Sequence, residues 1–239
     1  MGARPVAVLS FDAALHRFLA PARRGRPVAV EIDRARSAKD AIESLGVPHT
    51  EVGGLSIDGR AAGLEDLLRG GERLAISAQP EAVDPAPEAP RFAADVHLGK
   101  LARHLRLAGF DCLWSKDWDD DALVAAAVAD KRVVLTRDIG ILRRRAVTRG
   151  RFVRTIESEA QLAEVVRAFG LRAQLRPFSR CRECNVPLEN VSKDDVEALL
   201  PEKVRALYTR FRRCPGCKRI YWEGTHFERL RAVLARASG

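Results

Sequence analysis

Four cysteines in two pairs constrain this chain more than any other feature. Cys181-Arg-Glu-Cys184 and Cys214-Pro-Gly-Cys217 repeat one C-x2-C spacing, and Cys112 stands apart from them. The N-terminus, MGARPVAVLSF, lacks a long apolar run followed by a cleavage site, so the expected location is cytoplasmic. In that setting paired C-x2-C turns are the ligand spacing of a metal site and not a disulfide framework. Four thiolates suit tetrahedral Zn2+ and leave no open coordination position, so the expected role is structural. A redox dithiol is the competing reading, and it would need only one pair. Pro215-Gly216 allows the tight backbone that turns amides toward sulfur. Between the pairs, Asp194–Arg210 reads as a helix broken near Pro201, and Thr225–Ala237 reads as a terminal helix.

Composition bounds the rest. With 41 Lys and Arg against 32 Asp and Glu, the net charge of +9 permits a polyanionic partner. An arginine-rich composition alone gives the same balance. A chain that is 46% hydrophobic and 31% charged suits folded domains, and no apolar stretch approaches the roughly 20 residues that span a bilayer. No membrane is expected. The stretch PEAVDPAPEAP places Pro80, Pro85, Pro87 and Pro90 in a segment without periodicity, which reads as a semi-extended linker. The expected domains are therefore 1–79, a linker over 80–90, 91–175, and 176–239.

The first domain alternates strand and helix signals. PVAVLSF (5–11) and PVAVEID (27–33) are β-prone, with a hairpin loop between them. Ser37 with Asp40 opens a helix whose apolar positions are Ala38, Ala41, Ile42 and Leu45, and Gly46 closes it. A short strand over 51–57, a helical turn at Leu64, Leu67 and Leu68, and a last strand over 71–77 complete a β-β-α-β-turn-β order, that of a β-grasp domain. KDAIESLGVPHTEV, IDGR and GERLAIS resemble the ubiquitin-like, sulfur-carrier form of that fold. The last strand runs on into Gln79-Pro80-Glu81 with no Gly-Gly after it. The resemblance thus implies the fold, with a protein-binding or regulatory role, and not thiocarboxylate chemistry.

After the linker, strand and helix alternate: Arg91–Asp95, a helix over His97–Leu107 closed by Gly109, a strand over Asp111–Ser115, a helix over Asp120–Lys131, RVVLT (132–136), a basic helix over Ile139–Arg149, a strand over Phe152–Ile156, and a helix opened by the capping box Ser158–Gln161. Unbroken apolar strands in this order predict a parallel sheet with helices on its faces. Ligands then bind beyond the C-terminal strand ends. Asp95 and Asp138 each follow such an end, and Asp120 opens a helix on the same side, with Asp119 and Asp121 as alternatives. Three converging carboxylates repel one another unless a cation neutralises them, and hard oxygen ligands select Mg2+ or Mn2+. Taken singly, each aspartate also reads as a helix N-cap. Lys100, Arg103 and Arg106 follow Asp95, and Arg143, Arg144 and Arg145 follow Asp138, as phosphate contacts or as solvated helix faces.

FAADVHLGKLARHLRLAGFD, DDDALVAAAVADKRVVLTRDIGILRRR and the two C-x2-C pairs resemble the mut-seven C-terminal RNase-domain family. The ubiquitin-like segment in front resembles a known bacterial arrangement. That resemblance implies a PIN-like nuclease fold with a zinc ribbon. It puts Asp95, Asp120 and Asp138 at the acidic metal-binding positions, and Thr136 and Arg137 in the TRD signature that meets substrate. No fourth acidic residue matches. The function expected is a metal-dependent ribonuclease acting on single-stranded RNA, with Mg2+ or Mn2+ at the carboxylates and structural Zn2+ in the ribbon. Arg210, Arg212, Arg213, Lys218, Arg219, Tyr221 and Trp222 mix cations and aromatics that suit RNA, or that pack the ribbon on its neighbour. The competing function is a non-catalytic RNA- or DNA-binding adaptor using the same basic surfaces.

Overall fold

The computed structural model describes residues 4–81 and 89–224, together with Glu228 and Ala232. The middle of the Pro-rich stretch and most of the expected terminal helix lie outside the described residues. The chain divides into two units, Met1–Pro80 with Asp138–Phe152, and Glu81–Arg137 with Val153–Gly239.

In the first unit, alternation along β1 (Val6–Phe11) and β2 (Val28–Glu31) sends Ala7, Leu9, Val28 and Val30 into the core. The connection between them holds two 3-10 turns, Ala13–Phe18 and Pro21–Arg23, where a plain hairpin loop was expected. The cause is apolar: Leu15, Phe18 and Leu19 are buried, so the connection folds over the core. β3 (Arg36–Ser37) leads into α1 (Ala38–Ser44). The Ser37 Oγ accepts the Asp40 N–H at 3.1 Å and Gly46 turns at φ +106°, as the local pattern predicts.

β4 (Val52–Ile57) and β5 (Arg60–Ala61) form a hairpin. β6 (Leu67–Leu68) pairs with β3 in place of the expected helical turn, and it buries Leu68 while exposing Leu67, the alternation of a strand. β7 (Arg73–Ala78) runs parallel to β1 and antiparallel to β4. The order β2-β1-β7-β4-β5, with first and last strands side by side, is the β-grasp arrangement.

The second unit opens with β8 (Phe92–Ala94), a 3-10 turn at Val96–Leu98 and α2 (Gly99–Ala108). Leu98, Leu101, Leu105 and Ala108 are all buried, and Gly109 closes the helix at φ +104°. Truncating Leu101 or Leu105 would cost about 2–5 kcal/mol. β9 (Cys112–Leu113), α3 (Asp120–Ala129) and β10 (Val133–Thr136) follow, and β8 pairs in parallel with both β9 and β10. Every residue of β8 and β10 is buried, as strands covered on both faces must be.

α4 (Ile139–Leu142) and β11 (Gly150–Phe152) group with the first unit. The basic helix expected through Arg149 stops at Leu142. Gly140 lies in its first turn and three consecutive arginines occupy what would be its second, a poor stripe for packing. The chain instead turns through a Val147 N–H to Arg144 carbonyl bond and buries Val147. α5 (Ser158–Ala168) is preceded by Glu157 at the cap position without a side-chain cap, so the expected capping box is not made. Gln161 donates instead to the carbonyls of Thr155 and Ile156.

The last module is an antiparallel sheet of β12 (Glu189–Val191), β13 (Phe211–Arg213) and β14 (Ile220–Trp222). α6 (Glu202–Leu207) precedes β13, and the break expected near Pro201 separates it from a 3-10 turn at Glu197–Leu199. Among the described residues no helix is long and apolar enough to cross a membrane.

Candidate active site and metal centre

Asp95 follows β8 directly and is 4% exposed. Its Oδ1 accepts the His97 N–H at 3.1 Å and its Oδ2 accepts the Thr136 hydroxyl at 2.6 Å. Thr136, the last residue of β10, is fully buried, so the hydroxyl is committed to this carboxylate. An ionised carboxylate offers about four acceptor positions, and two of those on Asp95 are used here. Gly99 is required just beyond: a Cβ there would lie 2.6 Å from the Trp114 ring, whose Nε1 donates to the Val96 carbonyl at 3.1 Å.

Asp119, and not Asp120, caps α3, accepting the Ala122 N–H at 2.8 Å. Asp120 and Asp121 fill the first turn and are exposed, at the end of α3 that follows β9. Asp138 lies two residues past β10, in the segment that groups with the first unit, and it caps α4 through the Gly140 N–H at 2.6 Å.

The basic residues fall into different roles. Lys100 is exposed on α2. Arg103 lies 5.2 Å over the Trp114 ring and pairs with Glu183 at 3.3 Å. Arg106 turns inward, 3% exposed, and donates to the carbonyls of Cys112, Arg182 and Glu183. Helical spacing alone does not separate that buried position from a polar face. Arg137 donates to the carbonyls of Val153, Arg154 and Thr155 through one nitrogen. Those carbonyls are held by Glu164, whose carboxylate accepts the amides of Arg154 and Thr155 and the Thr155 hydroxyl. Glu164 was not singled out from the sequence. The signal is a carboxylate on the buried stripe of α5. Arg143 and Arg144 follow α4, Arg143 exposed and Arg144 half-buried.

Cys181, Cys184, Cys214 and Cys217 have ligand atoms all within 4.8 Å of one another, and among the described residues they are the group of three or more that could hold a metal ion. The two turns are built alike. Cys184 N–H points at Cys181 Sγ and Cys217 N–H at Cys214 Sγ, each at 3.3 Å. The residue after each pair, Asn185 and Lys218, adopts φ +63°. The Tyr221 hydroxyl approaches Cys181 Sγ at 3.1 Å. Burial would raise the Cys181 thiol, but the Tyr221 hydroxyl, the amides of Cys184 and Glu183 and the Cys214 thiol bring it down to about 7. Four convergent sulfurs, those of Cys181 and Cys214 met by N–H donors, fit a thiophilic ion such as zinc, and the module is compatible with a zinc ribbon.

A polar network missed from the sequence ties the first knuckle to β9. Asn185 accepts the Cys112 N–H at 3.1 Å and donates to Asp111 at 2.8 Å, while Arg132 donates to the same Asp111 oxygen at 2.6 Å. Burial would raise the Asp111 carboxyl, but the bonds from Arg132 and Asn185 and the charges of Arg132 and Arg180 outweigh it and hold it below its ordinary value.

A β-grasp unit, a parallel α/β unit with strand-end carboxylates and a four-cysteine module define a class of mixed α/β multidomain chain with a potential metal centre. Residues 90–234 match the family model described as the Mut7-C RNAse domain, and residues 4–84 match the Mut7-C ubiquitin model. The chain belongs to the Mut7-C RNAse domain family, preceded by that family's ubiquitin-like domain. No curated protein and no solved structure matches it significantly. The family points to a nuclease-type role, and the ubiquitin-like domain to protein interaction.

Proposed function

We propose that this chain is a metal-dependent ribonuclease whose carboxylates are Asp95, Asp120 and Asp138. The observation that carries this reading is the paired edge of β8 and β10: adjacent parallel strands, one followed by Asp95 and the other, two residues on, by Asp138. Asp120 starts α3 on the C-terminal side of β9. Carboxylates at such an edge suit Mg2+ or Mn2+, which would lower the pKa of a bound water and neutralise charge on a phosphodiester. Asp95 has acceptor capacity left beyond its two internal bonds. The Thr136 hydroxyl orients that carboxylate.

Lys100, Arg143 and Arg144 are the cations proposed to meet phosphates. Arg103, Arg106 and Arg137 are engaged with Glu183 or with carbonyls, so their contribution is to hold the knuckle and the loop after β11. Zn2+ at the four cysteines is proposed as structural, with the ribbon aiding contact with single-stranded RNA. A cytoplasmic setting fits reduced cysteines.

One observation favours a second reading, a non-catalytic nucleic-acid adaptor. Asp95, Asp119 and Asp138 each accept a backbone N–H at a helix start, a job that by itself accounts for an aspartate. The two separate in an assay of purified protein on labelled RNA and DNA, with Mg2+ or Mn2+ and with EDTA. Cleavage that EDTA abolishes supports the nuclease. Salt-dependent binding without cleavage supports the adaptor.

A further inference from the structure

The first unit is assembled from two stretches far apart in sequence, the β-grasp residues and Asp138–Phe152. The second stretch lies inside the residues matched as the RNAse domain. Its contacts with the β-grasp part include buried polar bonds at the 3-10 turn His49–Glu51. Glu51 is 1% exposed and its Oε1 accepts the Phe152 N–H at 2.7 Å. His49 is buried too, with Nδ1 2.7 Å from Glu43 Oε1 and Nε2 2.8 Å from the Val147 carbonyl. Each ring nitrogen therefore has a partner, one on α1 and one in the Asp138–Phe152 stretch. Phe152 meets Phe18 edge-on at 5.5 Å, and Arg17 lies 5.6 Å from the Phe152 ring centre. Ile139, next to Asp138, packs with Phe152 against the β-grasp core.

Buried carboxylates and imidazoles persist where they are paired, because leaving them without partners is costly. The Pro48-His49-Thr50-Glu51 stretch is therefore shaped for a ligand with a carbonyl at one place and an N–H at another, a backbone segment. We propose that the partner of the ubiquitin-like domain is this segment of its own chain. The His49–Glu51 turn grips Val147 and Phe152 and thereby fixes the backbone that carries Asp138, Arg143 and Arg144. The docking stands on its own contacts. Its consequence for cleavage rests on the nuclease reading, with His49 and Glu51 as positioning residues.

Hydrogen–deuterium exchange on the full chain tests it, comparing wild type with Glu51→Ala, Glu51→Gln and Phe152→Ala. In Glu51→Ala, amides of 139–152 are expected to exchange about 10-fold faster or more while β1 and β7 stay protected. Glu51→Gln, which keeps an acceptor oxygen, restores most of the protection. Unchanged exchange over 139–152 in both Glu51→Ala and Phe152→Ala overturns the proposal. Should Glu51→Ala unfold the sheet, seen as loss of protection in β1 and β7, Phe152→Ala decides, since it leaves the β-grasp sequence intact. On RNA, Glu51→Ala is expected to lower kcat with KM kept, recovered in Glu51→Gln; an unchanged kcat with a loosened segment overturns the positioning role. If wild type cleaves no RNA, the nuclease reading fails, and the exchange result still decides the docking.

Discussion

Thr136 Oγ1 donates to Asp95 Oδ2 at 2.6 Å, tying the C-terminal end of β10 to that of β8. Both residues are buried, so the bond lies where water cannot replace it. Thr136→Val keeps the shape and removes the donor. It is expected to cost about 1–3 kcal/mol, read from the urea midpoint, and to weaken metal-dependent cleavage as Asp95 loses its orientation. Thr136→Ser should recover both. A neutral Thr136→Val would show that the carboxylate finds another partner.

Asp111 gives a pH dependence with a definite sign. Its folded carboxyl is held below the ordinary value, so the stability it contributes is complete above the unfolded pKa and is lost as pH falls through the folded one. Wild type should therefore exceed Asp111→Asn in stability at pH 7, by about 1–3 kcal/mol. The difference should narrow below about pH 4. Denaturant midpoints of both proteins across that range check it; a gap that widens toward acid contradicts it.

The cysteines should divide by reactivity. Burial pushes the Cys112 thiol up to about 12, against the opposing charge of Arg106. At pH 8 its thiolate fraction would be ~10⁻⁴, so alkylation should need denaturant. The four knuckle cysteines should be protected with metal bound and react after chelation. Mass spectrometry of alkylated protein counts them. Modification of Cys112 in the folded chain would contradict its burial.

Loss of the metal should act locally. Cys214→Ser is expected to lower bound zinc and to release the packing of Tyr221 and the knuckles, while the β-grasp sheet keeps its protection. Metal analysis and exchange by segment distinguish this from global unfolding. Full zinc occupancy in the variant would contradict the four-thiolate site.

Much of the fold was legible because its signals are periodic or chemical. The leucines of α2 at helical spacing, the buried runs of β8 and β10, and the paired C-x2-C turns each specify a local environment without a distant partner. What escaped depends on long-range partners. Leu67 and Leu68 form β6 only because Arg36 and Ser37 lie opposite them. Arg106 reads as a surface cation until the knuckle carbonyls of Arg182 and Glu183 come against it. The strand-end positions of Asp95 and Asp138 were legible, but the capping of α3 by Asp119 was not, because three successive aspartates offer one pattern to three registers. Glu51 and His49 gave no signal at all, since their partners lie about a hundred residues away.

The most direct test uses Asp138→Asn in the full chain, assayed on labelled single-stranded RNA with Mg2+ or Mn2+. Asn caps a helix as well as Asp does, so the Gly140 N–H bond and the fold should survive while the charge is lost. The expected result is a fall in cleavage of about 100-fold or more, with zinc content unchanged. Cleavage at the wild-type rate by the folded variant would contradict the proposed role of Asp138 and leave its carboxylate as a helix cap.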